Sequence, residues 1–393
     1  MTSLTAGVLI ALLGVQFVLP PGLSTSTGRS EMRGIWAECE GINSTLSSRG
    51  KIEEMVNRLG TAGFNTVFVQ VYRGSRAWFQ SKLADSTPCE RFYAQEKTNP
   101  LRVAIDLAHR KGIQVHAWVN MYRIWGNSDA KVIRTLGRAA VTCDSRGRSL
   151  LDYRRESLPD GGYWLDPGDP GVRRYLISII GEILERYPDI DGIHLDYARY
   201  PYDEKGKVDF GYGRTSVARF KKIHGVSPLA CAASQRALWD AWRRDQVTEF
   251  VREAGEGVRR REKKLSVATV ADEKKYRSLT FQDWPLWLRE GLIDFAVPMN
   301  YSDTRSVAKR NTETLLNAAP AERDKIIIGL GAYKLLDSPG ALLAQIKDCR
   351  SLGAGGVALF SYDNMTKHPG IFSFLGKRAF GSGMGKPQPD GKR

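Results

Sequence analysis

The chain is predicted to be an α/β protein that folds as a single (β/α)8 TIM barrel. Eight short, apolar, β-rich runs recur along it, and helical patterns separate them. Near-continuous apolar runs are what parallel strands buried on both faces require. Size agrees, because one barrel fills roughly 250 residues or more and the chain has 393.

The runs come in order. MRGIWAE starts at Met32, and a helix is expected over KIEEMVNRLGTAG from Lys51. TVFVQVY from Thr66 is followed by a helix over LRVAIDLAHRKG from Leu101, and IQVHAWVN starts at Ile113. A long loop from Arg123 leads to the amphipathic stretch VRRYLISIIGEILERY at Val172, and IDGIHLDY begins at Ile190. A second long loop starts at Tyr200, and the stretch from Ser234 to Lys263 is helical with a charged outer face. LSVATVA from Leu265, DWPLWLREG from Asp283 and IDFAVPMNY from Ile293 continue the alternation. A helix near Asn311–Asn317, KIIIGLGAY from Lys325, the helix ALLAQIKDCRSLG from Ala341 and GGVALFSY from Gly356 complete it. Gly63, Gly112, Gly291 and Gly353 stand where helices end before strands, the usual place for a glycine C-cap. A doubly wound sheet is the other arrangement with this alternation. No Gly-x-Gly-x-x-Gly follows the first strand, so its dinucleotide-binding form has no support.

Residues 1–30 read as a signal peptide or N-terminal anchor. Ala6 to Leu19 is uncharged and apolar, Pro20-Pro21-Gly22 ends it, and small residues follow from Ser24 to Gly28. An exported protein is therefore expected: periplasmic, secreted or anchored. The barrel is assigned to 31–375, and 376–393, rich in Gly, Pro and basic residues, to a disordered tail. The 58 Lys and Arg against 43 Asp and Glu leave a net charge of +15. That excess suits an anionic polysaccharide, or association with an envelope or membrane surface. No recognition-helix, zinc-finger or RNA-binding pattern accompanies it, so nucleic acid is not expected as a partner. The five cysteines are scattered without a Cys-x-x-Cys pair, which excludes a zinc ribbon or thioredoxin-type centre. One or two disulfides, with Cys89 and Cys143 in loop-like stretches, and free buried thiols are equally open readings.

A barrel keeps its reactive groups at the C-terminal ends of its strands. There the chain places carboxylates, amides, arginines and aromatics together, the equipment of a sugar-binding cleft with acid–base chemistry. Asp196, on the fourth strand, is the leading catalytic candidate. Asp272 is favoured as its partner carboxylate, followed by Glu273 and Glu38. Asp191 faces the other side of the strand from Asp196 and is expected to be structural. Substrate contacts are assigned to Trp36, Arg73, His116, Trp118, Asn120, His194, Arg199, Asn300, Tyr301, Tyr362 and Asp363. Arg73, Arg123 and Arg199 are the arginines expected to meet substrate carboxylates at the rim. The reading needs neither metal nor cofactor, and a monomer suffices. A His116/His194/carboxylate metal site, as in barrel deacetylases and amidohydrolases, is a weaker alternative. A non-catalytic carbohydrate-binding barrel is another. No Gly-x-Ser-x-Gly elbow supports a serine nucleophile.

DGIHLDYARYP, from Asp191 to Pro201, resembles the hallmark of the glycosylhydrolase-like family ten, bacterial barrels distinct from the family-ten xylanases. RGIW at Arg33, FVQVYRGSRAWFQS at Phe68, HAWVNMYR at His116 and WLDPGDPGVRRYL at Trp164 extend the likeness. QDWPLWLREGLIDFAVPMNYS at Gln282 and GGVALFSYD at Gly355 carry it along nearly the whole barrel. The resemblance implies an exported polysaccharide hydrolase, with some relatives thought to cut peptidoglycan strands stripped of peptides. The same block is similar to the catalytic strand of family-eighteen chitinases, whose DGxDxDxE ends in the acid glutamate. Here that position is Ala198, so the substrate-assisted mechanism lacks its proton donor. Many family-ten relatives have Asp where this chain has Tyr197, which leaves Asp196 as the rim carboxylate of the strand.

Overall fold

The computed structural model describes residues 31–203, 208–230 and 233–381. The leader expected over 1–30, residues 382–393 of the expected tail, and Cys231 lie outside them. Eleven strands run in chain order: β1 (Met32–Ala37), β2 (Thr66–Arg73), β3 (Arg76–Ala77), β4 (Gln114–Asn120), β5 (Arg123–Trp125), β6 (Tyr163–Trp164), β7 (Gly192–Asp196), β8 (Lys264–Val270), β9 (Phe295–Asn300), β10 (Ile327–Leu330) and β11 (Gly356–Leu359). Eight of them, β1, β2, β4, β7, β8, β9, β10 and β11, pair in parallel in that order, and β1 pairs with both β2 and β11. The sheet therefore closes on itself as the predicted (β/α)8 barrel. β3 folds back antiparallel on the end of β2, and β5 and β6 form a small ribbon at the mouth.

Alternate residues of each strand point inward, as the pleat demands. Trp36, Phe68, Trp118, Phe295, Val297, Ile327 and Ala358, from six strands around the ring, pack into one interior cluster. His116 and His194 sit among them with no exposed surface. Trp36 Nε1 donates to His194 Nε2 at 3.0 Å, and His194 Nδ1 meets Ser266 Oγ at 2.8 Å. Gly192 makes room for His116, since a Cβ there would lie 2.5 Å from its Nδ1. Burial pushes the His116 imidazole down to about 4, so it is neutral at ordinary pH.

The expected helices form, with ends set by local chemistry. Arg49–Ala62 starts at Ser48, whose side chain accepts from the Lys51 amide, and stops at Gly63 with φ 78°. Pro170–Arg186 is capped by Asp169, which accepts from the amides of Gly171 and Val172. Asp191 is structural, as expected: its Oδ2 accepts from the Val115 amide at 2.7 Å and lies 2.8 Å from His109 Nε2. Five residues assigned to the tail are instead part of the barrel's last helical segment. Gly376–Phe380 continues as a helical turn, and Phe380 is buried against Phe64, with ring centroids 5.2 Å apart. Cys39, Cys89, Cys143 and Cys349 are all free thiols, so the Cys89 and Cys143 disulfide option does not hold.

Candidate active site

β7 delivers Asp196 to the C-terminal mouth of the barrel, where 7% of its surface remains exposed. Tyr197 then takes a left-handed φ of 52°, a conformation bulky residues rarely adopt. The turn lets the Tyr197 amide donate to Asp196 Oδ1 at 2.7 Å, while Trp118 Nε1 donates to Oδ2 at 3.0 Å. Burial raises the pKa of the Asp196 carboxyl; the two donors and the charges of Arg199 and Arg123 pull it partly back. A carboxyl that holds its proton more tightly than usual has the property a proton donor needs.

Glu38 stands one residue beyond β1, half-buried, and Ser361 Oγ donates to its Oε2 at 2.8 Å. Its amide donates to Asp363 Oδ2 at 2.9 Å, and Asp363 Oδ1 accepts from the Asn43 amide at 3.3 Å. Asp363 has no exposed surface and is a clamp on the loop after β1, not a sugar contact. Burial, with the Glu38 charge adding to it, pushes its carboxyl up to about 6. Between Glu38 and Asp196 lies an aromatic bridge. Phe360 stacks on Tyr301 with centroids 5.5 Å apart and meets Trp118 edge-on at 6.3 Å. Burial raises the Tyr301 hydroxyl well above its ordinary pKa, and the charges of Asp196 and Glu38 both act on it in the same direction. β1 and β7 are separated by two strands around the ring, and Glu38 and Asp196 stand at their C-terminal ends.

The rim beside Asp196 is basic and aromatic. Arg123 Nη1 donates to the Tyr197 hydroxyl at 2.8 Å, and its Nη2 to the Asp160 carbonyl. Arg199 pairs with Asp160 Oδ2 at 2.9 Å and lies 4.7 Å from the Trp164 ring centre. Arg73 and Arg123 approach the Trp125 ring centre at 3.6 and 3.5 Å, and Arg73 pairs with Glu40 at 3.1 Å. Arg73 also lines a cavity of about 460 Å³ with Arg76, Asn127 and Arg155. Asn120, opposite Asp196 in the strand register, accepts from Gln70 at 3.2 Å; its Nδ2 has no partner among the described residues.

Several expected residues fall elsewhere. Trp36, His116 and His194 are buried in the packed interior, where Trp36 lies under Phe360 and bonds His194. His194 has both nitrogens engaged, and among the described residues no three metal-ligating side chains converge. The His116/His194 metal alternative does not fit this geometry. Asn300 points outward, donating to the Ala308 carbonyl at 2.7 Å and accepting from Asn311. Tyr362 is buried against Phe372 in the helix layer. Asp272 is exposed and caps the helix Glu273–Thr280, accepting from the Lys275 amide at 2.9 Å, so the favoured second carboxylate is a helix cap. The side chain of Glu273 lies outside the described residues. What the sequence reading missed is Phe360 and Ser361, Asp160, and the pairing of Trp125 with two arginines. For Phe360 a signal existed: it shares the inward parity of Gly356 and Ala358.

A closed parallel barrel that carries carboxylates at the C-terminal ends of its strands is the frame that barrel glycosyl hydrolases use. The chain belongs to the family described as glycosyl hydrolase-like 10, whose model matches residues 31–339. It is similar to glycosyl hydrolase DigH of Escherichia coli strain K12, 25% identical over 353 residues, covering 80% of this chain and 76% of that protein. Glycosyl hydrolase YngK of Bacillus subtilis strain 168 is 24% identical over 324 residues, covering 74% of this chain and 58% of its own. Among solved structures, the glycoside hydrolase domain of PgaB (BpsB) from Bordetella bronchiseptica superposes with a TM-score of 0.64 at 15% identity, covering 90% of this chain and all of that one. The β-amylase catalytic domain of Paenibacillus polymyxa gives 0.59 at 10% identity, covering 89% and 97%. Both structural likenesses are of fold.

Proposed function

We propose that the protein is an exported glycoside hydrolase that cuts a bacterial polysaccharide, with peptidoglycan glycan strands as the leading substrate. Asp196 serves as the proton donor to the departing glycosidic oxygen, and Glu38 is the second carboxylate. The observation that carries the reading is Asp196 itself: a carboxyl buried at the barrel mouth, oriented by Trp118 and the Tyr197 amide, with Tyr301 near enough to feel both its charge and that of Glu38. Membership of a glycosyl hydrolase-like family supports the reaction class. The uncharged stretch from Ala6 to Leu19 supports export, which brings the enzyme to the envelope.

Glycosidic cleavage needs one group to protonate the leaving oxygen and a second to attack, or to activate water. Asp196 has the burial for the first task. The Ser361 hydrogen bond holds one oxygen of Glu38 and orients the other for the second. The test compares release of new reducing ends from purified peptide-free peptidoglycan strands, chitin oligomers and xylan oligomers. Faster release from peptidoglycan strands is expected. Release from xylan or chitin alone overturns the polymer assignment, and no release from any glycan supports the non-catalytic binding reading instead.

A further inference from the structure

The arginines expected to greet an anionic substrate are committed within the protein: Arg73 to Glu40, Arg123 to Tyr197 and Asp160, Arg199 to Asp160. Uncommitted guanidiniums lie on the loop after β4, which also carries Arg123. Arg146 and Arg154 make no side-chain hydrogen bond or ion pair among the described residues. With Arg148, Ser145, Tyr153 and Ser157 they line a cavity of about 450 Å³. Its acidic lining residue, Asp144, is engaged within the loop through both oxygens. Its Oδ1 accepts from the amides of Arg146 and Arg148, each at 2.9 Å, and its Oδ2 from the Tyr153 hydroxyl at 2.6 Å. Arg148 is braced 4.5 Å above the Tyr153 ring and bonds the Asp152 carbonyl.

The cavity is walled by two loops of the barrel mouth. Val208, from the loop after β7, closes one side. Asp144 bridges to Phe210, and the Ser145 amide donates to the Asp209 carbonyl at 2.9 Å. The cavity thus spans the loops that follow β4 and β7, the two strands that carry Trp118 and Asp196.

We infer that this cavity is a subsite for a carboxylate carried on the glycan strand, gripped by Arg146 and Arg154; the inference rests on the glycan-cleaving reading above. A guanidinium presents paired donors that match the two oxygens of a carboxylate, and the forks of Arg146 and Arg154 are free to take one. The carboxylate is either the lactyl ether of an amino sugar or the acid of a hexuronate.

The experiment uses the full chain and its Arg146→Ala, Arg154→Ala and double variants, with Arg310→Ala as a charge-matched substitution on an outer helix. Binding is measured to peptide-free peptidoglycan strands, to the same strands after carboxyl reduction, and to polygalacturonate oligomers, at low and high salt. The double variant is expected to weaken binding to a carboxylated strand about tenfold at low salt. Reduced strands are expected to bind all variants alike, with Arg154→Lys recovering part of the loss and Arg310→Ala changing nothing. Loss confined to peptidoglycan strands assigns the lactyl group, and loss confined to polygalacturonate the hexuronate. Equal affinity of wild type and double variant for both carboxylated polymers overturns the subsite while leaving the hydrolase reading intact. Failure of the wild type to bind any of the three overturns both. Matching thermal unfolding of all variants verifies that each is folded.

Discussion

Trp118 donates its indole N–H to the oxygen of Asp196, and that bond favours the ionised carboxyl. Trp118→Phe keeps a ring beside Phe360 but removes the donor. The pKa of Asp196, already raised by burial, then rises further. If Asp196 must be protonated to act, the alkaline limb of the pH–rate profile moves upward by about one pH unit, the equivalent of a hydrogen bond to a charged group of about 1.4 kcal/mol. A profile that stays in place while kcat falls would show Trp118 to act through packing alone. Residues such as this one mark the limit of what the sequence shows. The pleat tells which side chains of a strand point inward, and Trp36, His116, Trp118, His194 and Asp196 all share inward parity. It does not tell how deep each lies. Asp196 tops the barrel and Trp118 reaches it with its indole N–H, whereas Trp36, His116 and His194 are closed off in the core. Parity does explain Asn300, which alternates with the inward Phe295 and Val297 and so had to face the helices.

At the scale of elements, the loop after β1 is the part that places Glu38, and Asp363 is its clamp. The clamp is tight: a Cβ on Gly41 would lie 2.2 Å from Asp363 Oδ1. The carboxyl of Asp363 sits at about 6 in the folded protein against about 3.9 in an unfolded chain. Between those values the folded state binds the proton that the unfolded state has lost, so this group's contribution to stability falls as pH rises from about 4 to about 6. Asp363→Asn removes the titration. The melting-temperature advantage of the wild type over Asp363→Asn is therefore expected to be largest near pH 4 and to shrink towards pH 7. An advantage that grows with pH would show that the clamp works through the ionised carboxylate. Elements were legible in the sequence where burial imposes a pattern. All eight barrel strands are apolar runs because both faces are covered. The short pieces at the mouth, β3, β5, β6 and the helix Thr87–Glu96, are too brief or too polar for any period to emerge. Asp272 is a similar case. A strand-end aspartate serves equally as catalyst or cap, and only the Lys275 contact distinguishes them.

At the scale of the whole molecule, closure of the sheet gathers residues far apart in the chain onto one rim. Glu38 and Ser361 are 323 positions apart and hydrogen-bonded, and Trp118 and Asp196 are 78 apart and hydrogen-bonded. In the proposed reaction this convergence makes Glu38 the partner of Asp196: the bonds it makes with Ser361 and Asp363 hold it at the mouth, and no local pattern around Glu38 announces them. The central claim is that this pair of carboxylates breaks glycosidic bonds. Its most direct test is the rate at which new reducing ends are released from peptide-free peptidoglycan strands by the wild type, Asp196→Asn and Glu38→Gln, each with its melting temperature recorded. Both substitutions are nearly isosteric, and each is expected to lower kcat by about 10²–10⁴-fold, the usual contribution of an acid or base, with melting little changed. Wild-type turnover by a folded Asp196→Asn protein would contradict the account.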